Sequence, residues 1–186
     1  MMHEHHPLLG REIVTRPATP LVIRAAADCT RFSLRIDPAA VASASEALGL
    51  KLPAKIGELA SSGERIAMCL GPDEWYIIVP LAAQDDVQHA FAALYAKVPH
   101  SLVDISHREV AIEIEGADAA LVLQSAIPFD VEAMPAGSGC RTVFDKAQIV
   151  LVRKADNRFR IEVWRSFAGH VWGLLRAAAR EIELGI

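Results

Sequence analysis

The residues best suited to chemistry lie in one short run, Asp104-Ile105-Ser106-His107-Arg108. Aspartate, serine and histidine are the members of a nucleophilic triad, in which a base takes the serine proton and a carboxylate orients the base. A triad is set by geometry, and along an extended strand Asp104 and Ser106 share one side while His107 faces the other. The run reads better as a tight connection in which Asp104 and Ser106 bond the backbone. His107 and Arg108 are then left for a surface or an interface. A second acidic candidate, Asp130, sits in IPFDVEAMP just after a helical pattern. It is either an exposed loop carboxylate or one that faces a ligand pocket. His3, His5 and His6, with Glu4 among them, offer imidazoles to a metal, although a solvated terminus is the plainer reading.

Other catalytic signatures are missing. The sequence has no GxGxxG after a strand, no phosphate-binding P-loop, no GxSxG elbow and no HExxH. The three cysteines, Cys29, Cys69 and Cys140, are odd in number and show no CxxC spacing. That argues against a disulfide framework or a thiolate zinc site and for a reducing cytoplasm.

The third constellation is aromatic and basic. RFRIEVWRSFAGHVWGLL, starting at Arg158, ends a strand and opens a helix. Period-2 alternation puts Phe159, Ile161 and Val163 on one face and Arg158, Arg160, Glu162 and Trp164 on the other. On the helix, Phe167, Val171, Leu174, Leu175, Ala178 and Ile182 form the apolar stripe, with Ser166 as its N-cap. Trp172, Arg176 and Arg180 recur every four residues beside that stripe. Tryptophan and arginine are the commonest interface anchors, so Trp164, Arg165, Trp172, Arg176 and Arg180 read as a docking surface, together with Asp104, His107 and Arg108.

Composition limits what the elements around these residues can be. The chain has 186 residues, 52% of them hydrophobic and 23% charged, with a formal net charge of −4. A basic nucleic-acid footprint is absent, and so are an apolar run of membrane-spanning length and a signal-peptide pattern at the N-terminus. Residues 1–20 read as an arm held extended by Pro7, Pro17 and Pro20. From residue 21 the order of elements is strand (21–27), strand (32–36), helix, strand (65–70), strand (74–79) and helix. Asp37-Pro38 starts the first helix and Gly49 stops it. Asp85 and Asp86 begin the second, and Val87, Phe91, Leu94 and Val98 are its buried face. The order then recurs, with strands at 102–105 and 110–114, a helix over 117–127, strands within 142–152 and at 158–164, and the last helix. The expectation is an α+β fold made of a duplicated β-β-α-β-β-α unit, with repeats at 21–98 and 101–186 packed as one body.

GPDEWYIIVP, SLVDISHREVAIEIEGADA, CRTVFDKAQIVLVR and the block from Arg158 together resemble the gamma subunit of heterotetrameric sarcosine oxidase. That family is similar in turn to the folate-binding fold of the glycine-cleavage T-protein. The resemblance implies a small non-catalytic subunit of a complex that oxidatively demethylates sarcosine to glycine. Such a complex reduces oxygen to hydrogen peroxide and passes the one-carbon unit to tetrahydrofolate, giving methylenetetrahydrofolate. It implies FAD, FMN and NAD in the large subunits, zinc in delta, no cofactor in this chain, and docking chiefly on alpha, with beta and delta in the same assembly. An orphaned docking patch favours self-association of the isolated chain. Asp130 matches the T-protein aspartate that contacts folate. The Gly-Gly-x-x-Asp-Asp turn of that family is absent, and Phe144-Asp145-Lys146-Ala147 stands in its place. The alternative expectation is a free-standing folate-binding or one-carbon-transfer protein.

Overall fold

The computed structural model describes residues 6–15 and 20–186. His3 and His5 of the N-terminal cluster lie outside them. His6 is buried, and its Nδ1 accepts from the Leu8 N–H at 3.1 Å. The described strands are β1 (Glu12–Val14), β2 (Val22–Ala25), β3 (Thr30–Ile36), β4 (Leu59–Ser62), β5 (Arg65–Gly71), β6 (Glu74–Val79), β7 (His100–Asp104), β8 (Glu109–Glu115), β9 (Ser138–Phe144), β10 (Ala147–Ala155) and β11 (Arg158–Trp164). The helices are α1 (Val41–Leu48), α2 (Gln84–Tyr95), α3 (Ala119–Gln124) and α4 (Arg165–Leu184).

The expected duplication is present, with one more strand in each half. The order β2-β3-α1-β4-β5-β6-α2 is repeated as β7-β8-α3-β9-β10-β11-α4. β4 reads LASS, too short and too polar to announce a strand. β9 starts within Gly137-Ser138-Gly139, residues whose types favour a loop.

The sheets do not follow the two halves of the sequence. One sheet runs β1-β2-β8-β11-β10-β9 and the other β4-β5-β6-β3-β7. The first strand of each half thus joins the sheet of the other half: β2 pairs antiparallel with β8, and β7 with β3. Two compact units result, and neither is contiguous. One combines the chain up to Ala27 with Arg108–Ala136 and Cys140–Ile186; the other is Asp28–His107 with Gly137–Gly139. The expected boundaries at 21–98 and 101–186 are therefore corrected, because strand pairing overrides chain order. Of the arm expected over residues 1–20, residues 1–5 and 16–19 lie outside the described residues; the rest is corrected, since β1 is a strand of the first unit, in register with β2 from Glu12↔Arg24 to Val14↔Val22.

Each unit closes its own core. In the unit built on β3, Asp37 Oδ1 accepts from Ala39 N at 2.8 Å at the head of a one-turn 3-10 helix, Pro38–Ala40, that leads into α1. Gly49 then ends α1 in the left-handed conformation at φ 67°. β6 is buried at every position, as its unbroken apolar run requires of a strand covered on both faces. Trp75 lies inside, its indole N–H donating to Pro53 O at 2.8 Å. Val87 and Phe91 of α2 close this core, with Leu94 and Val98 packed against it. In the other unit Leu21, Ile23, Ile112, Ile114, Phe159, Ile161 and Val163 meet α3 and α4. Burying each such side chain contributes about 1.5–3 kcal/mol.

The return of β2 to β8 depends on Gly116. This residue has φ 138°, and a Cβ there would stand 2.7 Å from Pro20 O and 2.9 Å from the Leu21 Cα. By contrast Gly173, on the exposed face of α4, would meet nothing within 4 Å. Gly116→Ala is expected to destabilise the chain by roughly 2–4 kcal/mol, from backbone strain and the clash together. Gly173→Ala is expected to stabilise it by about 0.5–1 kcal/mol through helix propensity. Urea unfolding of the two variants beside the parent chain checks both signs.

Candidate functional site

The Asp104–Arg108 run is a turn in which Asp104 and Ser106 bond one another. Asp104 Oδ1 accepts from Ser106 Oγ at 2.6 Å and from Ser106 N at 2.8 Å. Its Oδ2 accepts from Gln84 Nε2 at 2.9 Å, and Ser106 Oγ accepts from Arg31 N at 2.9 Å. The serine hydroxyl thus donates to a carboxylate rather than to an imidazole, so the geometry is that of a turn lock, not of a nucleophile. Asp104 and His107 are exposed. The strands either side of the run go to different sheets, so the connection carries the chain from one unit to the other rather than closing a hairpin.

In the unit built on β8, Arg108 and Trp164 come together. The register pairs Trp164 with Glu109, and the Arg165 N–H donates to Arg108 O at 2.9 Å. That brings the Arg108 guanidinium to 5.5 Å from the centroid of the Trp164 ring. The guanidinium also reaches Glu109 Oε1 at 2.7 Å. Trp164 is 39% exposed, one of several large apolar side chains at the surface. An exposed cation–π contact of this kind contributes about 0.5–1 kcal/mol. Trp164 itself is the N-cap of α4 and makes no side-chain cap bond, so the expected Ser166 cap is corrected by two residues.

Trp172 does not belong to that surface. It is 6% exposed and lies in the core with Val171 and Leu175. Arg176 and Arg180 are exposed, and Arg180 reaches Glu183 at 3.0 Å. With 3.6 residues per turn, each four-residue step rotates about 40° around the helix. The row that starts at Trp172 in the core therefore leaves it within two steps, and no Trp–Arg–Arg ridge forms. The buried face of α4 is wider than the expected stripe and takes in Ala168, Trp172 and Ala179.

Asp130 is exposed, and its Oδ1 accepts from the N–H groups of Glu132 at 3.0 Å and Ala133 at 3.3 Å. It caps the turn that follows α3 and its loop. In the β9–β10 connection Asp145 adopts φ 53°, and its Oδ2 lies 2.8 Å from His170 Nε2 on α4. The His170 hydrogen bond and the Lys146 N–H hold the Asp145 carboxyl below the usual aspartate range. Among the described residues no group of three or more His, Cys, Asp or Glu side chains is placed to hold a metal ion. Among the same residues no helix is long and apolar enough to cross a membrane.

One charged cluster escapes a strand-by-strand reading. Glu113 of β8 lies opposite Arg24 of β2 on one side and Arg160 of β11 on the other. Its carboxylate meets Arg24 Nη2 at 3.0 Å, Lys154 Nζ at 3.2 Å and Arg160 Nη1 at 3.6 Å. Arg160 Nε also donates to Glu162 Oε1 at 2.6 Å, and both of those side chains are buried. The polar face expected for β11 is thus exposed only at its ends, Arg158 and Trp164. The signal in the sequence is weak, because the partners come from four strands spread over more than a hundred residues. Burial would raise the Glu113 carboxyl, but Lys154, Arg24 and Arg160 together outweigh it and hold the group below its ordinary value of 4.5. A depressed carboxylate contributes stability that is present above its unfolded-state pKa and is lost as pH falls through the folded-state value. Glu113→Gln is expected to cost roughly 1–2 kcal/mol at pH 7. It is also expected to flatten the loss of stability below pH 4.5, as read by urea unfolding across a pH series.

A family model described as "Sarcosine oxidase, gamma subunit family" matches residues 33–181. The sarcosine oxidase subunit gamma of Corynebacterium sp. (strain P-1) is 29% identical over 153 residues, covering 80% of this chain and 74% of that protein. The corresponding subunit of Arthrobacter sp is 32% identical over 117 residues, covering 61% and 57%. A chain of the heterotetrameric sarcosine oxidase from Corynebacterium sp. U-96, solved in complex with pyrrole 2-carboxylate, matches with a TM-score of 0.82 at 26% identity. That match covers 91% of this chain and 89% of the other. Glycine cleavage system aminomethyltransferase T from Bartonella henselae matches with a TM-score of 0.65 at 17% identity, over 86% of this chain and 48% of that one, a likeness of fold.

Proposed function

Because the chain belongs to the sarcosine oxidase, gamma subunit family, we propose that it is the gamma subunit of a heterotetrameric sarcosine oxidase and serves that complex by docking rather than by catalysis. The observation that carries this reading is the structural match to a chain of the Corynebacterium sp. U-96 complex, with a TM-score of 0.82 and about nine-tenths of both chains covered. The proposed partners are alpha chiefly, with beta and delta in the same cytoplasmic assembly. FAD, FMN and NAD belong in this reading to the large subunits and zinc to delta, with tetrahydrofolate accepting the one-carbon unit from sarcosine.

The residues of this chain do not fit a folate site at Asp130. That carboxylate is committed to the backbone of its own turn, and the β9–β10 connection is held by the Asp145–His170 contact instead of the T-protein turn. A free-standing folate-binding protein is therefore not the favoured reading.

Co-expression with the large subunits is expected to yield one stable, yellow complex. Elution of this chain alone, from a preparation whose other subunits are fully active without it, would overturn the proposal. Within the complex, the exposed Trp164–Arg108 pair with Arg165 is the docking patch supported by its geometry. Trp164→Ala is expected to weaken assembly by about 2 kcal/mol, roughly thirtyfold, and folding by less than about 1 kcal/mol. Subunit affinity measured beside urea unfolding checks this, and equal losses in the two would make Trp164 a folding residue.

A further inference from the structure

The two sheets are built from matching strands, and the match fails at one place. Beyond the end of β2, Ala26 N donates to Ala111 O at 2.9 Å; beyond the end of β7, Ile105 N donates to Arg31 O at 2.9 Å. Setting these bonds level makes Leu21 the counterpart of His100, Ile23 of Leu102 and Ala25 of Asp104. In an antiparallel pair, successive residues turn their N–H and C=O groups to opposite sides. Ala25 N donates to Arg11 O at 3.1 Å, and Leu21 O accepts from Thr15 N at 3.0 Å. Leu21, Ile23 and Ala25 therefore face β1, while Val22, Arg24 and Ala26 face β8. The same parity turns the backbone of His100, Leu102 and Asp104 away from β3, toward the open side of β7. β7 is the last strand of its sheet, whereas β2 has β1 beside it. Among the described residues, the position outside β7 that corresponds to β1 holds no strand.

Within β7 that edge carries no proline and no bulge, and its acidic side chain, Asp104, stands at the end of the strand. Natural edge strands carry proline, a bulge or inward-pointing charge. β7 reads HSLVD, and Val103 is 51% exposed. Beside it lies a groove of about 410 Å³, lined by Gln88, Phe91, Ala92, Tyr95, His100 and Leu102. The His100 ring stands edge-on to Phe91 and Tyr95, with centroids 5.3 and 5.5 Å away. Its Nδ1 lies 2.8 Å from Val98 O, so the aromatic wall is held in place. In the other sheet, the added strand puts Ile13 opposite Ile23, and Ile13 packs on the core.

We propose that the open edge of β7 and the groove beside it receive an extended, antiparallel segment of a partner subunit. Backbone hydrogen bonds to His100, Leu102 and Asp104 hold the segment. An apolar side chain opposite Leu102 enters the groove, as Ile13 serves the other sheet. Strand addition of this kind takes affinity from the main chain and specificity from the alternate side chains. A second copy of this chain is the poorer occupant. Twofold pairing about Leu102 would set Leu102 opposite Leu102, a side chain already packed on the core of its own copy, and would leave groove beside groove. The identity of the occupant rests on the assembly proposed above.

The test is amide hydrogen exchange of β7 in the isolated chain and in the complex formed with the large subunits. Exchange at Leu102 is expected to be slowed about tenfold or more in the complex. Ala92→Arg, a helix-compatible change at the exposed rim of the groove, is expected to leave the unfolding midpoint of the isolated chain in place and to weaken assembly at least about tenfold. A complex that forms while β7 exchanges as fast as in the isolated chain overturns the strand site and leaves the assembly standing. Failure of the parent chain to form any complex overturns both. An isolated chain that is dimeric, with β7 already protected and still self-paired in the complex, assigns the edge to a second copy and overturns the proposal.

Discussion

The pairing of β2 with β8 is the constraint on which this architecture rests. It brings the N-terminal strands into a sheet otherwise made by the second half of the sequence, and it does so through a backbone contact that tolerates no side chain at Gly116. The Gly116 N–H is spent at the same point, donating to Asn157 O at 3.1 Å. One residue thus joins the end of β8 to the β10–β11 turn while leaving room for Pro20 and Leu21. Burial of Leu21 and Ile23 follows from this seating, and so does the position of β1 outside them.

Electrostatics support the same seam. Arg24 alone would gain little from an exposed ion pair, which is typically worth under about 1 kcal/mol. Glu113 is different, because it is shared by Arg24, Lys154 and Arg160 across neighbouring strands. A carboxylate held by three cations loses more when β2 slips than a single pair would, and a one-residue slip would turn Arg24 to the opposite face of the sheet. Hydrophobic pattern and charge therefore specify one register.

Local patterns in the sequence were informative wherever one element decides the outcome. Asp37-Pro38, Gly49 and the run of β6 each follow from neighbouring residues and appear as expected. The duplication was legible for the same reason. Strand exchange was not, since nothing in VIRA or HSLVD says which sheet will accept it. Trp172 shows the same limit on a smaller scale: its place on the helical wheel lies at the margin of the stripe, and the packing of α4 against β8, β11 and α3 decides that it is covered. At the turn, Asp104 and Ser106 behave as their types suggest, while the approach of Arg108 to Trp164 follows from a strand register that neither residue announces. Arg160 and Glu162 went the other way, since a charged face can be buried when the charges satisfy one another.

The exchange of first strands also bears on when the molecule can fold as it leaves the ribosome. Arg24 and Glu113 are 89 residues apart in sequence, so β2 has no sheet to join until the second half begins to emerge. Closing a loop of that length is a modest entropic cost at equilibrium, yet non-local pairing of this kind slows the search for the native state. The sheet built on β3 can assemble early around β5 and β6, which are local in sequence. The N-terminal strands must wait for β8, carrying an unpaired edge while the chain from Arg24 to Glu113, 89 residues on, is made. Aggregation in the cell would therefore be decided during elongation, in a segment that the finished protein holds in a sheet.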